Sequence, residues 1–231
     1  MNKELFKPQG LIQKADRRQF LKMGSLTVAG AGLLLMGCND DDRMPSMPGM
    51  VNLGSGDVGI LNYAYALEQL EAGFYAEVMK GSYFANANAE EKTIMGDLEK
   101  HERAHREFFK VALGANAITE LEFDFSSIDF GNRNAVLAAA KTFEDLGVAA
   151  YNGAGQFLTN ADLLLIAGKI VSVEARHAAA IRDLINPNSV DFAGDDLIDA
   201  NGLERTLNFQ QVLTAASTFV KNEIDFSQLP S

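Results

Sequence analysis

Apolar residues recur at helical spacing in four segments of the chain, and each stripe is broken near its middle by a carboxylate. The pattern predicts helices over about 58–80, 89–114, 133–158 and 161–186. The first stripe carries Leu61, Ala64, Tyr65, Glu68, Ala72 and Tyr75, and the second Met95, Leu98, Glu102, His105 and Phe109. The third carries Leu137, Ala140, Glu144, Val148 and Tyr151, and the fourth Ile166, Ile170, Glu174, His177 and Ile181. "NAEE" (88–91) and "TNAD" (159–162) supply a capping asparagine followed by first-turn acids, the signature of a helix N-terminus.

The four segments form two copies of one unit. "LNYAYALEQLEAGFY" (61–75) aligns with "LAAAKTFEDLGVAAY" (137–151), so that Glu68 matches Glu144 and Tyr75 matches Tyr151. "LEKHERAHREFF" (98–109) aligns with "IVSVEARHAAAI" (170–181) through a shared Glu-x-x-His. Each copy is therefore a helical hairpin offering one Glu and then a Glu-x-x-His pair. Short links within each copy favour antiparallel neighbours, whereas residues 115–132 are long enough to run the length of a bundle. "LEFDFSSIDF" within that crossover alternates polar and apolar residues and is expected to lie extended along the bundle side. The predicted fold is all-α: a four-helix bundle at 58–186 with one long crossover between helices 2 and 3. A C-terminal extension, 187–231, adds an acidic loop and a short helix near "FQQVLTAASTFVKN" and is expected to pack on the bundle.

Glu and His at i and i+3 lie on one face of a helix and can aim at one point. Two such helices, with one further Glu from each of the other two, would bring four carboxylates and two imidazoles together in a bundle core. That donor set is suited to two divalent cations, whose charge four glutamates balance; without cations, burying four carboxylates is costly. Glu71, one turn beyond Glu68, is a candidate extra ligand, although the repeat places Gly147 at its equivalent position. Tyr75 and Tyr151 are expected to hydrogen-bond ligand carboxylates, the usual way such ligands are oriented. His101 falls off the stripe and reads as a surface residue.

The N-terminal region changes where this site is expected to work. "DRRQFLK" (16–22) resembles a twin-arginine export signal, and the apolar run after it is too short to span a bilayer but suits a signal core. "LMGC" resembles a lipobox, which would make Cys38 the lipidated N-terminus of the mature chain. This divides the chain into a signal at 1–37, a flexible tether at 38–57 and the bundle, and places the protein in the periplasm or cell envelope, anchored to a membrane. Cys38 is the single cysteine, which excludes an internal disulfide or a Cys-based metal site. The net charge of −11 argues against nucleic acid as a partner. Met44, Met47 and Met50 could in principle hold Cu(I), but a Met/Pro linker accounts for them more simply. "DANG" (199–202) lacks the flanking ligands of a calcium loop.

"ALEQLEAGFY", "EKHERAHREFF", "FEDLGVAAY" and "VEARHAAAI" together resemble the ferritin-like superfamily, and more narrowly its bacterial members related to plant desiccation-related proteins. The resemblance covers about 58–186. It implies that Glu68, Glu102, His105, Glu144, Glu174 and His177 hold two metal ions, with Glu102 and Glu174 bridging. The ions would be two irons, or alternatively manganese or a mixed iron–manganese pair. The implied chemistry is Fe(II) oxidation by O2, or reduction of peroxide, under oxidative or desiccation stress. The alternatives are dimanganese catalase-like activity and a non-catalytic envelope protein that the metals stabilise. The four-cysteine iron site of a rubrerythrin cannot form with one cysteine, so peroxide reduction would need an external electron donor. A homodimer is compatible with this reading, while a closed storage cage fits a tethered lipoprotein poorly.

Overall fold

A computed structural model describes residues 50–230. Their elements, in order, are β1 (Met50–Asn52), α1 (Gly56–Lys80), α2 (Ser82–Asn86), α3 (Ala89–Leu113), α4 (Arg133–Gly155), α5 (Ala161–Ile185), α6 (Phe209–Ala216) and β2 (Glu223–Asp225), with single 3-10 turns at Gly114–Asn116 and Asp191–Ala193. The all-α fold expected from the stripes is the fold observed, and the four long helices lie within three residues of the expected bounds. α1 packs chiefly on α3, and α4 on α5, the two hairpins of the repeat. None of the helices described is long and apolar enough to cross a membrane.

Asparagine caps define where three of the long helices begin. Asn88 accepts from the Glu91 amide, Asn132 from Asn134 and Ala135, and Asn160 from Asp162 and Leu163. Each satisfies amides that the first helical turn leaves without a carbonyl, worth about 1 kcal/mol per cap. Asp57, in the first turn of α1, accepts from the Thr159 amide and hydroxyl and from the Asn160 amide, at 2.8–3.0 Å. This fixes the α4–α5 turn against the start of α1.

α1 is buried nearly all round because three partners cover it: α3, α4 and the crossover. Two polar side chains on α1 bind the crossover's backbone. Asn62 accepts from the Ile118 amide and donates to the Asn116 carbonyl, and Gln69 accepts from the Leu121 amide. The crossover then runs along the bundle as expected, but its extended pairing is confined to one bridge, Phe123 with Val220. Phe125 and Phe130 turn inward to meet Phe74, and Phe143 joins them with Phe219 of the tail at 4.8 Å.

The tail closes the other side. It crosses α4 so tightly that the Leu207 amide donates to the Ala149 carbonyl, and a Cβ on Gly153 would stand 1.9 Å from the Leu207 carbonyl oxygen. Glycine is required there because nothing larger leaves room for the strap. α6 follows, setting Phe209 edge-on to Tyr63 at 4.8 Å. β2 finally pairs in parallel with β1, Val51 opposite Ile224.

This last pairing corrects one boundary. The tether predicted to run to residue 57 does not: residues 50–52 are strand, Leu53 is fully buried, and α1 starts at Gly56. Composition around "GMVNLGSGD" reads as linker because the strand is short and its partner lies 173 residues away. The signal, Cys38, Met44 and Met47 lie outside the described residues.

Candidate metal centre

The helix register brings the six residues singled out by the repeat to one place. Glu68 comes from the middle of α1, Glu102 and His105 from α3, Glu144 from α4, and Glu174 and His177 from α5. Their donor atoms form two overlapping groups, each with atoms within 4.8 Å of one another. One group is Glu68, Glu102, His105 and Glu174; the other is Glu102, Glu144, Glu174 and His177. Glu102 and Glu174 belong to both. All four glutamates are at 0 % exposure and His177 is at 3 %.

Most polar atoms of this cluster have no ordinary partners. His105 Nδ1 lies 2.8 Å from Glu174 and 3.4 Å from Glu68, and His177 Nδ1 lies 2.7 Å from Glu102 and 3.3 Å from Glu174. These pairs nevertheless lack hydrogen-bond directionality. Among the described residues, nine buried side-chain N or O atoms have no hydrogen bond, and eight belong to these six residues. An orphaned buried polar atom costs about 1–3 kcal/mol, and more if charged. Eight such atoms facing a common centre are the environment of a bound cation, so the residues present fit two metal ions.

The remaining carboxylate oxygens are held from outside. Tyr75 donates to Glu144 Oε1 at 2.5 Å, and Tyr151 donates to Glu68 Oε1. Each tyrosine thus serves the glutamate of the other repeat. As the α1 partner moves from 68 to 75, the α4 partner moves from 151 back to 144, the register of two antiparallel helices. Seven residues, about two helical turns, separate the Glu and Tyr on each helix, so neither tyrosine reaches its own helix's glutamate.

Electrostatics tell the same story. Burial, and then the Glu174 charge, push Glu68 well above the ordinary carboxylate range. Burial raises Glu144 to about 8. Glu102 goes the other way: burial opposes its ionisation, but the His105 and His177 imidazoles outweigh it and hold the group at about 2. Burial alone would lower His105, yet Glu102, Glu174 and Glu68 raise it to about 12. The cluster thus raises proton affinity at Glu68, Glu144 and His105 and lowers it at Glu102.

Two neighbours behave differently from the six. Glu71 is buried but falls in neither group. Its carboxylate lies where a Cβ on Gly147 would stand, 2.8 Å from Oε1, so the glycine at the equivalent position in the second repeat makes room for the extra acid in the first. Burial, and then the charges of Glu102 and Glu174, push Glu71 well up. His101, expected at the surface, is exposed but also meets the site: its Nδ1 is 2.9 Å from His177 Nε2, and the two rings stack at 5.2 Å. No repeat or spacing signal marks it, because the second copy has Val173 at the matching position. Only the approach of α3 to α5 brings it in.

Residues 56–187 match the family model described as "Ferritin-like domain". A comparison with curated proteins finds no match. The matched span holds all four long helices and all six converging residues, and the chain belongs to the ferritin-like domain family.

Proposed function

We propose that the protein is an exported, lipid-anchored di-iron carboxylate protein that reacts Fe(II) with O2, or reduces peroxide, in the cell envelope. The observation that carries this reading is the convergence of eight unpartnered buried atoms from six residues into two overlapping groups. Glu68 and His105 would hold one ion, Glu144 and His177 the other, and Glu102 and Glu174, which belong to both groups, would serve both. When bound, the pair of irons would supply the electrons for reducing the oxidant.

The chain's own residues supply the rest. Tyr75 and Tyr151 fix the two terminal carboxylates by occupying one oxygen of each, leaving the second oxygen of each turned inward. His101 fixes His177 by engaging its outer nitrogen, which directs Nδ1 to the centre. Such outer partners set ligand orientation and basicity. Glu71, whose carboxyl is pushed well up by burial and by the charges of Glu102 and Glu174, lies against Gly147 next to these ligands.

The twin-arginine and lipobox residues support export and a lipid on Cys38. A Cys38→Ser variant is expected to appear in the soluble fraction rather than with membranes, and to lack the acyl mass. The redox reading is tested by Glu102→Gln and Glu174→Gln, singly and together. The double variant should keep its helical circular dichroism, bind no iron pair and lose Fe(II)-dependent O2 or peroxide consumption. Wild-type protein loaded with two irons per chain, yet inert to both oxidants, would remove the redox reading.

A further inference from the structure

Beside the candidate centre lies an apolar cleft bounded by the first half of α1, the end of α4, the start of α5 and Phe109 of α3. Tyr63, Leu67, Tyr151, Ala154 and Ala167 are among its lining residues. Gly155 and Ala167 are half-buried, while Leu67 and Tyr151 are buried. The cleft therefore runs from the α4–α5 corner inward to the tyrosine that donates to Glu68.

Three properties decide what it can admit. Its walls carry almost no polar atoms, so water gains little by entering; apolar cavities of this kind stay dry and take up xenon. Its volume is about 20 Å³, little more than the ~10–15 Å³ that a single water needs, so only a molecule of one or two heavy atoms suits it, and an aromatic ring or acyl chain does not. The ninth orphaned atom among the described residues is the Tyr63 hydroxyl, on a residue at 1 % exposure that lines this cleft. One hydroxyl is too little to replace the several hydrogen bonds that peroxide would leave behind in water.

We propose that this cleft is the port through which dioxygen, rather than peroxide, reaches the candidate dimetal centre, entering between α4 and α5 and passing Leu67 and Tyr151. The proposal deepens the redox reading above and rests on it, but its physical core can be tested without metal. Crystals of the wild-type chain pressurised with xenon should show a xenon atom between Tyr63, Ala154 and Tyr151. Ala167→Phe should abolish that site, with Ala167→Leu as the milder variant if phenylalanine impairs folding. In iron-loaded protein, whose two-per-chain iron content is established first by titration, the same variant should slow oxidation by O2 about ten-fold and leave oxidation by peroxide unchanged. A cleft without xenon, an unchanged O2 rate, or an equal loss with both oxidants would overturn the proposal. Failure of the redox reading shows separately, in the iron titration.

Discussion

His101 is the residue whose role could least be foreseen from the sequence, and it yields the sharpest single-residue test. It contacts no atom of the inner group of donors, yet it holds the outer nitrogen of His177 at 2.9 Å. Outer partners of this kind typically contribute 10–100-fold to metal affinity. His101→Ala is therefore expected to weaken iron binding by about that factor while leaving the fold intact, as read by titration beside a thermal melt. His101→Gln, which keeps a polar group at the position, should recover part of the loss. Glu68, Glu102, His105, Glu144, Glu174 and His177 were all legible beforehand because their signal is local and occurs twice: three residues between Glu and His, repeated on an apolar stripe. His101 and the side on which Glu71 lies were not, since each depends on how two helices approach rather than on spacing within one. The exchange of tyrosines between repeats was half legible: the seven-residue spacing identified Tyr75 and Tyr151, but only the antiparallel register of α1 and α4 assigns each to its glutamate.

At the level of elements, the stripes and asparagine caps placed the long helices to within a few residues, whereas the tail's path was hidden. Strand β2, the strap over Gly153 and the burial of Arg182 all rest on contacts between distant parts of the chain. Arg182, at 3 % exposure, forks onto Asp145 with bonds of 2.9 and 2.7 Å and also reaches Asp196 in the acidic loop. The extension is expected from the sequence to pack on the bundle, but nothing in the spacing marks Asp196 as the acid that pins the loop to α5. Arg182→Ala would leave Asp145 buried with only Lys141 beside it. Breaking a buried pair on one side costs about 3–5 kcal/mol, and Lys141 should hold the loss near the lower end. Gly153→Ala should be of similar size, because Leu207 and its backbone bond to Ala149 must move. Both are checked by denaturant unfolding, and a change below about 1 kcal/mol would mean that the tail is not seated as described.

For the whole molecule, the acids that make the centre attractive to cations make the metal-free bundle sensitive to pH. Glu144, raised from 4.5 to about 8, and His105, raised from 6.5 to about 12, both bind protons more tightly folded than unfolded. Their contribution to stability is present below the unfolded values and is lost as pH rises toward the folded ones. Glu102 acts oppositely, but only between about 2 and 4.5. The metal-free protein should therefore lose stability as pH rises from about 5 to 8. Metal ions compete with those protons, so the loaded protein should lose this trend and release protons on binding, which calorimetry in buffers of different ionisation enthalpy detects. Metal at 100 times its dissociation constant should add about 2.7 kcal/mol for each of the two sites. A metal-free melt that rises with pH over this range would contradict the electrostatics assigned to the cluster.

The central claim is that six side chains of a duplicated hairpin enclose two cations. Anomalous diffraction from crystals of the metal-loaded protein, collected at the iron and manganese edges, tests it most directly. The predicted result is two peaks per chain, one between Glu68 and His105 and one between Glu144 and His177, with Glu102 and Glu174 shared between them. A centre without anomalous signal after loading, or ions bound only elsewhere on the acidic surface, would contradict it.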